Sequence, residues 1–400
     1  MTDMPRWTVF VILLGHFTAA FAALGMPPFF ALILQESLGS EAIHSAGWLY
    51  ALPIAFTALS APWWGKLADR VGKRAMLLRA QLGLAASFLL AGFAESTTQF
   101  LIALILQGVL GGTFGASNAY LASALSGRAL IRSLSLMQGS ARAALVTAPV
   151  VLGLFVEWVS PITLYRYLAL LPLLSAMLIL CLPALEAPNK KLDSGMPENQ
   201  DCNPLIPVLT GRQIYVIQFG FVFATVITFP YFIPFVQQPP LALPAGMAGL
   251  LFGLPHLVYL LCFAPLNRWF GEQYLLPKLA GALLLFGVSL VGQVHAVSLE
   301  ELIVFRLLMG VAMTLAFISL HGAIAARVNA DSAGSTMGWM DSSAKWGGVV
   351  GAVAASMAVK VGGMAAPFFV GTVCLVVFIA YLAVFSLSRR RIAMAELGED

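Results

Sequence analysis

The chain has 400 residues, of which 60% are hydrophobic and 10% are charged, with a formal net charge of +4 and a mean hydropathy of +0.89. Soluble domains carry about 25% charged residues, so this composition excludes an ordinary soluble protein and predicts a chain embedded in a lipid bilayer. The four cysteines are scattered, which predicts neither a disulfide framework nor a zinc site, and we expect no metal and no cofactor.

Twelve apolar stretches have the length of about 20 residues that a membrane-crossing helix needs. They predict an all-α membrane protein with twelve transmembrane helices. The first stretch is too long for a signal peptide and lacks a small-residue cleavage site, so we expect it to remain as a span. The predicted spans lie at 7–34, 45–65, 75–94, 99–123, 133–157, 161–183, 212–237, 246–267, 275–295, 300–325, 334–359 and 365–388.

The basic residues predict the orientation in the membrane. With both termini in the cytoplasm, seventeen of the 22 Lys and Arg residues lie on the cytoplasmic side, and only Arg166 and Lys360 lie outside. Such a bias sets the orientation of membrane proteins. It also accounts for the positive net charge without a nucleic-acid partner.

The connection between the second and third spans reads Gly65-Lys66-Leu67-Ala68-Asp69-Arg70-Val71-Gly72-Lys73-Arg74. It resembles the Gly-x-x-x-Asp-Arg-x-Gly-x-Arg signature of the major facilitator superfamily of secondary transporters. In that family, the Asp and Arg of the motif hold the cytoplasmic helix ends together in one state of the transport cycle. The resemblance therefore implies a gating role for Gly65, Asp69, Arg70, Gly72 and Arg74.

The chain also contains an internal repeat. Ala46-Gly47-x-Leu49-x-x-Leu52-Pro53 recurs as Ala248-Gly249-x-Leu251-x-x-Leu254-Pro255 at an offset of 202 residues, and Met137-x-x-Ser140-Ala141-Arg142 recurs as Met340-x-x-Ser343-Ala344-Lys345 at 203. The repeat predicts an N-terminal six-helix bundle at 1–183, a cytoplasmic linker at 184–211 and a C-terminal bundle with a short basic tail at 212–400. Transporters with such repeats bind substrate near the bilayer midplane, between the halves.

Two further spans are similar to family motifs, with departures. Ala148-Pro149-Val150-Val151-Leu152-Gly153 resembles the Gly-Pro-x-x-Gly-Gly antiporter motif of drug exporters, with Ala and Leu in place of two glycines. An ordinary proline kink at Pro149 is the alternative. In the fourth span, Leu104 stands where the family usually has Arg, and the Arg occurs instead at the repeat position Arg306. Snorkelling of Arg306 toward the headgroups is the alternative to a role in binding.

Ionisable residues inside spans indicate function, because removing a charge from water is costly. Arg142 and Lys345 lie at matching depths in the fifth and eleventh spans, and Asp341, one turn before Lys345, is the only carboxylate predicted within a span. Three cations against one carboxylate predict a cavity that selects anions. We expect substrate to bind Arg142, Lys345, Arg306, Gln138 and Asn118, and the coupling proton to bind Asp341, His16 or His321. The alternative for Arg142 and Lys345 is a packing or salt-bridge role between helices, and the alternative for each histidine is an ordinary packed side chain.

The sequence contains no nucleotide-binding loop, zinc-protease motif or nucleophile elbow, so we predict a transporter and not an enzyme. We expect a monomer in the bacterial inner membrane that exports a small anionic compound, similar to a polycarboxylate siderophore, in exchange for protons. The alternatives are a proton-coupled multidrug exporter, an importer of an organic anion or siderophore, and a receptor or lipid-flipping protein with the same fold.

Overall fold

A computed structural model of the chain describes residues 6–40, 42–125, 127–183, 209–270, 275–325 and 333–396. Every regular element in those ranges is a helix, so the predicted all-α fold is confirmed. The helices form two compact units. One comprises the described residues of Met1–Pro197 and Phe229–Leu260, and the other those of Glu198–Thr228 and Leu261–Asp400. Most of the predicted linker lies outside the described residues, and the predicted domain boundaries stay predictions.

The first unit contains ten helices and the beginning of an eleventh. Short 3-10 or π turns at Pro27–Phe29, Ile33–Ser37 and Ile43–Ser45 surround the second helix. The bounds are α1 Arg6–Gly25, α2 Phe30–Leu32, α3 Ala46–Val71, α4 Lys73–Gly92, α5 Thr97–Leu110, α6 Thr113–Ala124, α7 Gly127–Val156, α8 Pro161–Leu168, α9 Leu170–Leu180, α11 Phe232–Val236 and, as far as Leu260, α12 Ala245–Phe270.

The second unit begins at a well-defined helix cap. The Thr210 hydroxyl accepts a hydrogen bond from the Gln213 amide, and the Gln213 side chain accepts one from the Thr210 amide, which is the reciprocal capping box. The unit also receives the end of α12. Its other helices are α10 Gly211–Val226, α13 Leu275–His295, α14 Leu299–Ala325, α15 Ala333–Gly362 and α16 Ala366–Glu396.

Among the described residues, nine stretches of helix are long and apolar enough to cross a membrane. They coincide with nine of the twelve predicted spans. The remaining predicted spans, at 45–65, 212–237 and 334–359, coincide with α3, with α10 and α11, and with α15. These helices are either shorter or more polar, and α10 has only 16 residues.

Four predicted spans are interrupted, and most of the interruptions follow from proline. Pro27 and Pro28 end α1, Pro172 removes the amide that would bond the Leu168 carbonyl between α8 and α9, and Pro230 lies in the turn between α10 and α11. Proline has no amide hydrogen and therefore breaks the helical ladder. The fourth span is instead interrupted at two glycines between α5 and α6.

Each unit has its own apolar core. In the first, α1, α4, α6, α7 and α9 contribute to a cluster of buried residues, which are Ile12, Leu77, Tyr120, Leu121, Met137, Ile179 and Leu182. In the second, Phe221 of α10 contacts Phe286 of α13 with ring centroids 6.2 Å apart. Small residues allow helices to approach closely, as is usual in membrane bundles.

Candidate functional site

The motif at 65–74 is mostly helical. Helix α3 continues to Val71 and α4 begins at Lys73, so the expected loop between these spans reduces to Gly72. This residue has φ +100°, a conformation that glycine adopts without steric cost. A Cβ added to Gly65 would meet no atom within 4 Å.

The Arg74 side chain of the motif bonds the end of another helix. Its Nε donates to the Ile179 carbonyl at 3.3 Å, and its Nη2 donates to the Leu180 carbonyl. These carbonyls end α9, where a cation also interacts favourably with the helix dipole. Arg74 therefore ties the start of α4 to the end of α9. Arg70 is exposed, and the Asp69 side chain lies outside the described part of the structure.

Pro149 lies at a close contact between α7 and α12. A Cβ added to Gly249 would lie 2.0 Å from the Pro149 carbonyl oxygen, and one added to Gly253 would lie 2.8 Å from that of Val146. The helices run antiparallel, and the Glu157 carboxylate accepts a hydrogen bond of 3.1 Å from the Gly246 amide at the start of α12. The glycines thus let α12 approach the α7 backbone around Pro149. We refer to this α7–α12 contact as the glycine seam.

Arg142 lies on the same seam, near the middle of α7. Its guanidinium carbon lies 4.4 Å from the centroid of the Tyr259 ring on α12, a cation–π geometry. Arg142 is partly buried. The predicted mid-span cation is therefore present, and an aromatic face covers one side of it. Gln138 precedes it by one turn, but its side chain is outside the described set.

Lys345 is partly buried on α15 in the second unit. Beside it, a row of small residues faces the carbonyls of α10. The Ser343 hydroxyl donates to the Tyr215 carbonyl at 2.7 Å, and Cβ atoms added to Gly347 and Gly351 would lie 2.5 and 2.9 Å from the carbonyl oxygens of Phe219 and Phe223. This row fixes the rotation of α15, and hence of Lys345. The Asp341 side chain is not among the described ones.

Arg306 is 3% exposed and lies between α13 and α14. It donates through Nη1 to the Gln293 side-chain oxygen at 3.4 Å and contacts the Met309 sulfur at 3.4 Å. Gln293 is itself fully buried. The guanidinium is thus turned into the helix pair, which does not correspond to snorkelling at the bilayer surface.

The two predicted histidines differ in environment. His16 on α1 is 4% exposed, and within the described structure neither of its ring nitrogens has a hydrogen-bond partner. Its ring lies 5.1 Å from that of Phe114 on α6, the helix that also carries Asn118, whose side-chain oxygen is buried and unpartnered there too. His321 is exposed and stacks on Phe317 at 4.0 Å.

Sequence analysis missed two further arginines that bond helix ends. Arg79 donates to the Leu110 and Gly111 carbonyls at 2.9 and 3.3 Å, and Arg166 donates to the Gly92 carbonyl at 2.5 Å. An arginine beside a helix that ends early would have indicated such a bond, but the early end of the helix is visible only in the structure.

A cavity of about 440 Å³ lies among α13, α14 and α16, lined almost entirely by apolar side chains such as Leu283, Val288 and Val376. None of the predicted site residues lines it. Across the described residues, no three His, Cys, Asp or Glu side chains are grouped to hold a metal ion.

Comparisons with known proteins identify the family. The sequence model of the Major Facilitator Superfamily matches residues 12–299. Multidrug resistance protein MdtG of Yersinia enterocolitica is 37% identical over 132 residues, 31% of this chain and 32% of that protein, and MdtG of Enterobacter lignolyticus is 42% identical over 111 residues, 26% of each. The match thus spans about a third or less of these relatives.

A solved structure extends the likeness to almost the whole chain at the level of fold. The bacterial homologue of the human lysosomal transporter Spinster, in an inward-facing and occupied conformation, aligns with a TM-score of 0.76 at 12% identity, over 96% of this chain and 98% of that one. With the family's sequence model matching from the first predicted span through the ninth and the motif lying where α3 meets α4, this multi-pass membrane protein belongs to the Major Facilitator Superfamily.

Proposed function

We propose that the protein is a secondary active transporter that exports a small organic anion with more than one carboxylate, similar to a polycarboxylate siderophore, in exchange for protons. It works by alternating access between two six-helix halves in the bacterial inner membrane, with both termini in the cytoplasm. The motif at 65–74 forms part of the cytoplasmic gate.

The observation that carries this proposal is the distribution of charge. Each carboxylate among the described side chains lies at a helix end or in a turn, at Glu36, Glu95, Glu157, Glu300 and Glu301. The charged side chains described in helix interiors away from these ends include Arg142, Arg306 and Lys345. A desolvated cation attracts a carboxylate ligand strongly, because the ligand replaces the lost hydration. The membrane interior of the protein is therefore suited to an anion.

Arg142 and Lys345 are the proposed substrate ligands. They occupy equivalent positions in the sequence repeat, so each half supplies one cation. Arg offers a planar fork for a carboxylate and Lys a compact charge. The alternative role for Arg306 is structural, because its contact with Gln293 also joins α13 to α14.

The proposed proton carriers are Asp341 and His16. Asp341 precedes Lys345 by one helical turn, so a substrate that binds Lys345 competes with the carboxylate and favours its protonation. His16 is buried beside Phe114, and within the described structure both of its ring nitrogens lack a hydrogen-bond partner, so a bound water would pair with them and could deliver the proton. His321 is the third candidate.

The second candidate function is proton-coupled multidrug export. The observation in its favour is the identity of 37% and 42% to stretches of multidrug resistance proteins. In that case, Arg142 and Tyr259 would form a packing contact, and the substrates would be lipophilic compounds that need no cationic ligand.

Transport into inside-out membrane vesicles separates these functions. With citrate as the anionic probe and ethidium as the lipophilic cation, we expect proton-driven citrate accumulation in the wild type and its loss in Arg142→Ala and Lys345→Ala. Lys360→Ala, an exposed cation on the same helix as Lys345, is the matched control and should behave as wild type. Ethidium transport that survives both substitutions would instead support the multidrug exporter, and inward citrate transport in right-side-out vesicles would support an importer.

The proposed orientation has a separate test. Gly195→Cys lies in the predicted cytoplasmic linker, so an impermeant thiol reagent should label it only after the membrane is opened. Labelling from the periplasmic side of intact cells would contradict the orientation.

A further inference from the structure

The interruption of the fourth span has an unusual construction. Helix α5 ends at Leu110 and α6 begins at Thr113, and Gly112 between them has φ +80°. A helix that breaks within the bilayer leaves backbone carbonyls without partners, which is tolerated only where other groups satisfy them. The break therefore depends on its neighbours.

Two side chains from other helices satisfy these carbonyls. Trp64 on α3 donates through Nε1 to the Val109 carbonyl at 2.6 Å. Arg79 on α4 donates to the next two carbonyls, at 2.9 and 3.3 Å. The Arg79 guanidinium also lies 3.6 Å from the centroid of the Trp64 ring, so the two donors brace each other. We call Arg79 and Trp64 the span-four clamp.

The second half of the chain provides an internal comparison. At the repeat offset of 202 residues, Gly112 corresponds to Thr314, Arg79 to Gly281 and Trp64 to Leu266. Helix α14 runs unbroken through Thr314, whose hydroxyl bonds the Gly310 carbonyl of the preceding turn. The break and its clamp thus occur together in one half and are both lacking at the corresponding positions of the other.

We propose that Arg79 is a positioning residue for transport. It holds the end of α5 fixed, so that Gly112 serves as a hinge on which α6 moves. Because α6 carries Phe114, which contacts the His16 ring, movement of α6 alters the environment of the proposed proton carrier. The inference rests on the proposed transport function. It adds a hinge to the first half of the chain that has no counterpart at the equivalent position of the second half.

Hydrogen–deuterium exchange on the purified full-length protein tests the clamp directly. In Arg79→Gln, we expect the amides of 111–118 to exchange about 10-fold faster, since charge-assisted bonds to two carbonyls are lost. Arg79→Lys, which keeps the charge but not the fork, and Trp64→Phe, which keeps the ring but not the donor, should give smaller increases. The corresponding amides of α14 should not change, and Lys360→Gln, which removes an exposed cation on α15, should match wild type.

Transport kinetics then separate positioning from simple structural support. With citrate and ethidium as probes, Arg79→Gln should lower the maximal rate several-fold and leave the half-saturating concentration unchanged, with partial rescue in Arg79→Lys. If exchange at 111–118 is unchanged in Arg79→Gln, or rises equally throughout the protein, the inference is overturned. A changed half-saturating concentration at an unchanged maximal rate would overturn it as well. If the wild type carries neither probe, the proposed function fails, whereas the exchange pattern still decides whether Arg79 holds the break.

Discussion

Replacement of Tyr259 should reveal whether Arg142 is a substrate ligand or a packing group. The Arg142 guanidinium lies 4.4 Å from the Tyr259 ring centroid. A desolvated cation–π contact is worth about 2 kcal/mol, which an incoming carboxylate must at least partly replace. Tyr259→Leu removes the aromatic ring that competes with the carboxylate for this side of the cation. We therefore expect it to tighten citrate binding by up to about 30-fold, since each 1.4 kcal/mol is tenfold.

Arg142→Ala should act in the opposite direction. Loss of a charge-assisted hydrogen bond costs about 1.5–3 kcal/mol, which weakens citrate binding roughly 10- to 100-fold. Arg142→Lys should restore binding only in part, because Lys lacks the planar fork. Tyr259→Phe keeps the aromatic face and is the matched control, with an affinity near wild type.

Isothermal titration of purified protein with citrate measures all four variants. If the Tyr259 ring and the anion compete for Arg142, Tyr259→Leu must tighten citrate binding and Arg142→Ala must weaken it. If both substitutions weaken binding equally, Tyr259 orients Arg142 or contacts the ligand itself, and the competition argument is refuted. If neither changes the affinity, Arg142 belongs to the packing between α7 and α12.

Three further substitutions test other parts of the structure. Gly249→Ala should destabilise the protein by about 1–3 kcal/mol through overpacking at the glycine seam. Gly281→Ala, whose added Cβ would meet nothing within 4 Å, should be neutral or stabilising. Equal melting temperatures of the two variants in detergent would contradict this. Gly72→Ala should cost about 1–3 kcal/mol because of its φ of +100° and slow transport, while Gly65→Ala introduces no such strain; comparable transport rates for the two would argue against the one-residue turn. Asp341→Asn should abolish pH-gradient-driven transport but retain substrate exchange, and full retention of the driven reaction would move the proton to another group.

The positions of the helices follow from the sequence because each membrane crossing needs a long apolar run, and the runs are separated by polar or glycine-rich segments. The bend in a span is harder to predict. Pro172 and Pro230 predict a break because proline has no amide hydrogen, but the pair Gly111-Gly112 predicts none. A glycine pair inside a bundle also occurs in unbroken helices, so the break depends on Arg79, which lies in another helix.

In the candidate site, too, the sequence predicts some features and only the structure shows the others. The depth of Arg142 follows from its place in α7, whereas the ring that covers it belongs to α12. The place of Arg306 in α14 follows from the sequence in the same way, whereas its polar partner Gln293 belongs to α13. Distances along one helix can be read from the sequence, and contacts between helices depend on rotations that the apolar pattern leaves undetermined.

The bond from Arg166 to the Gly92 carbonyl has a consequence for how the protein is made. Synthesis proceeds from the N-terminus, so α4 has already left the ribosome when Arg166 emerges. The acceptor is therefore made before the donor, and the Arg166 guanidinium in the last turn of α8 can bond the Gly92 carbonyl as soon as that segment enters the membrane. Arg166→Leu would be inserted more easily as an apolar segment, but the newly made sixth span would lack its anchor to the third. Its misassembly should then be visible as faster degradation of the nascent protein in cells rather than as a change in the finished transporter.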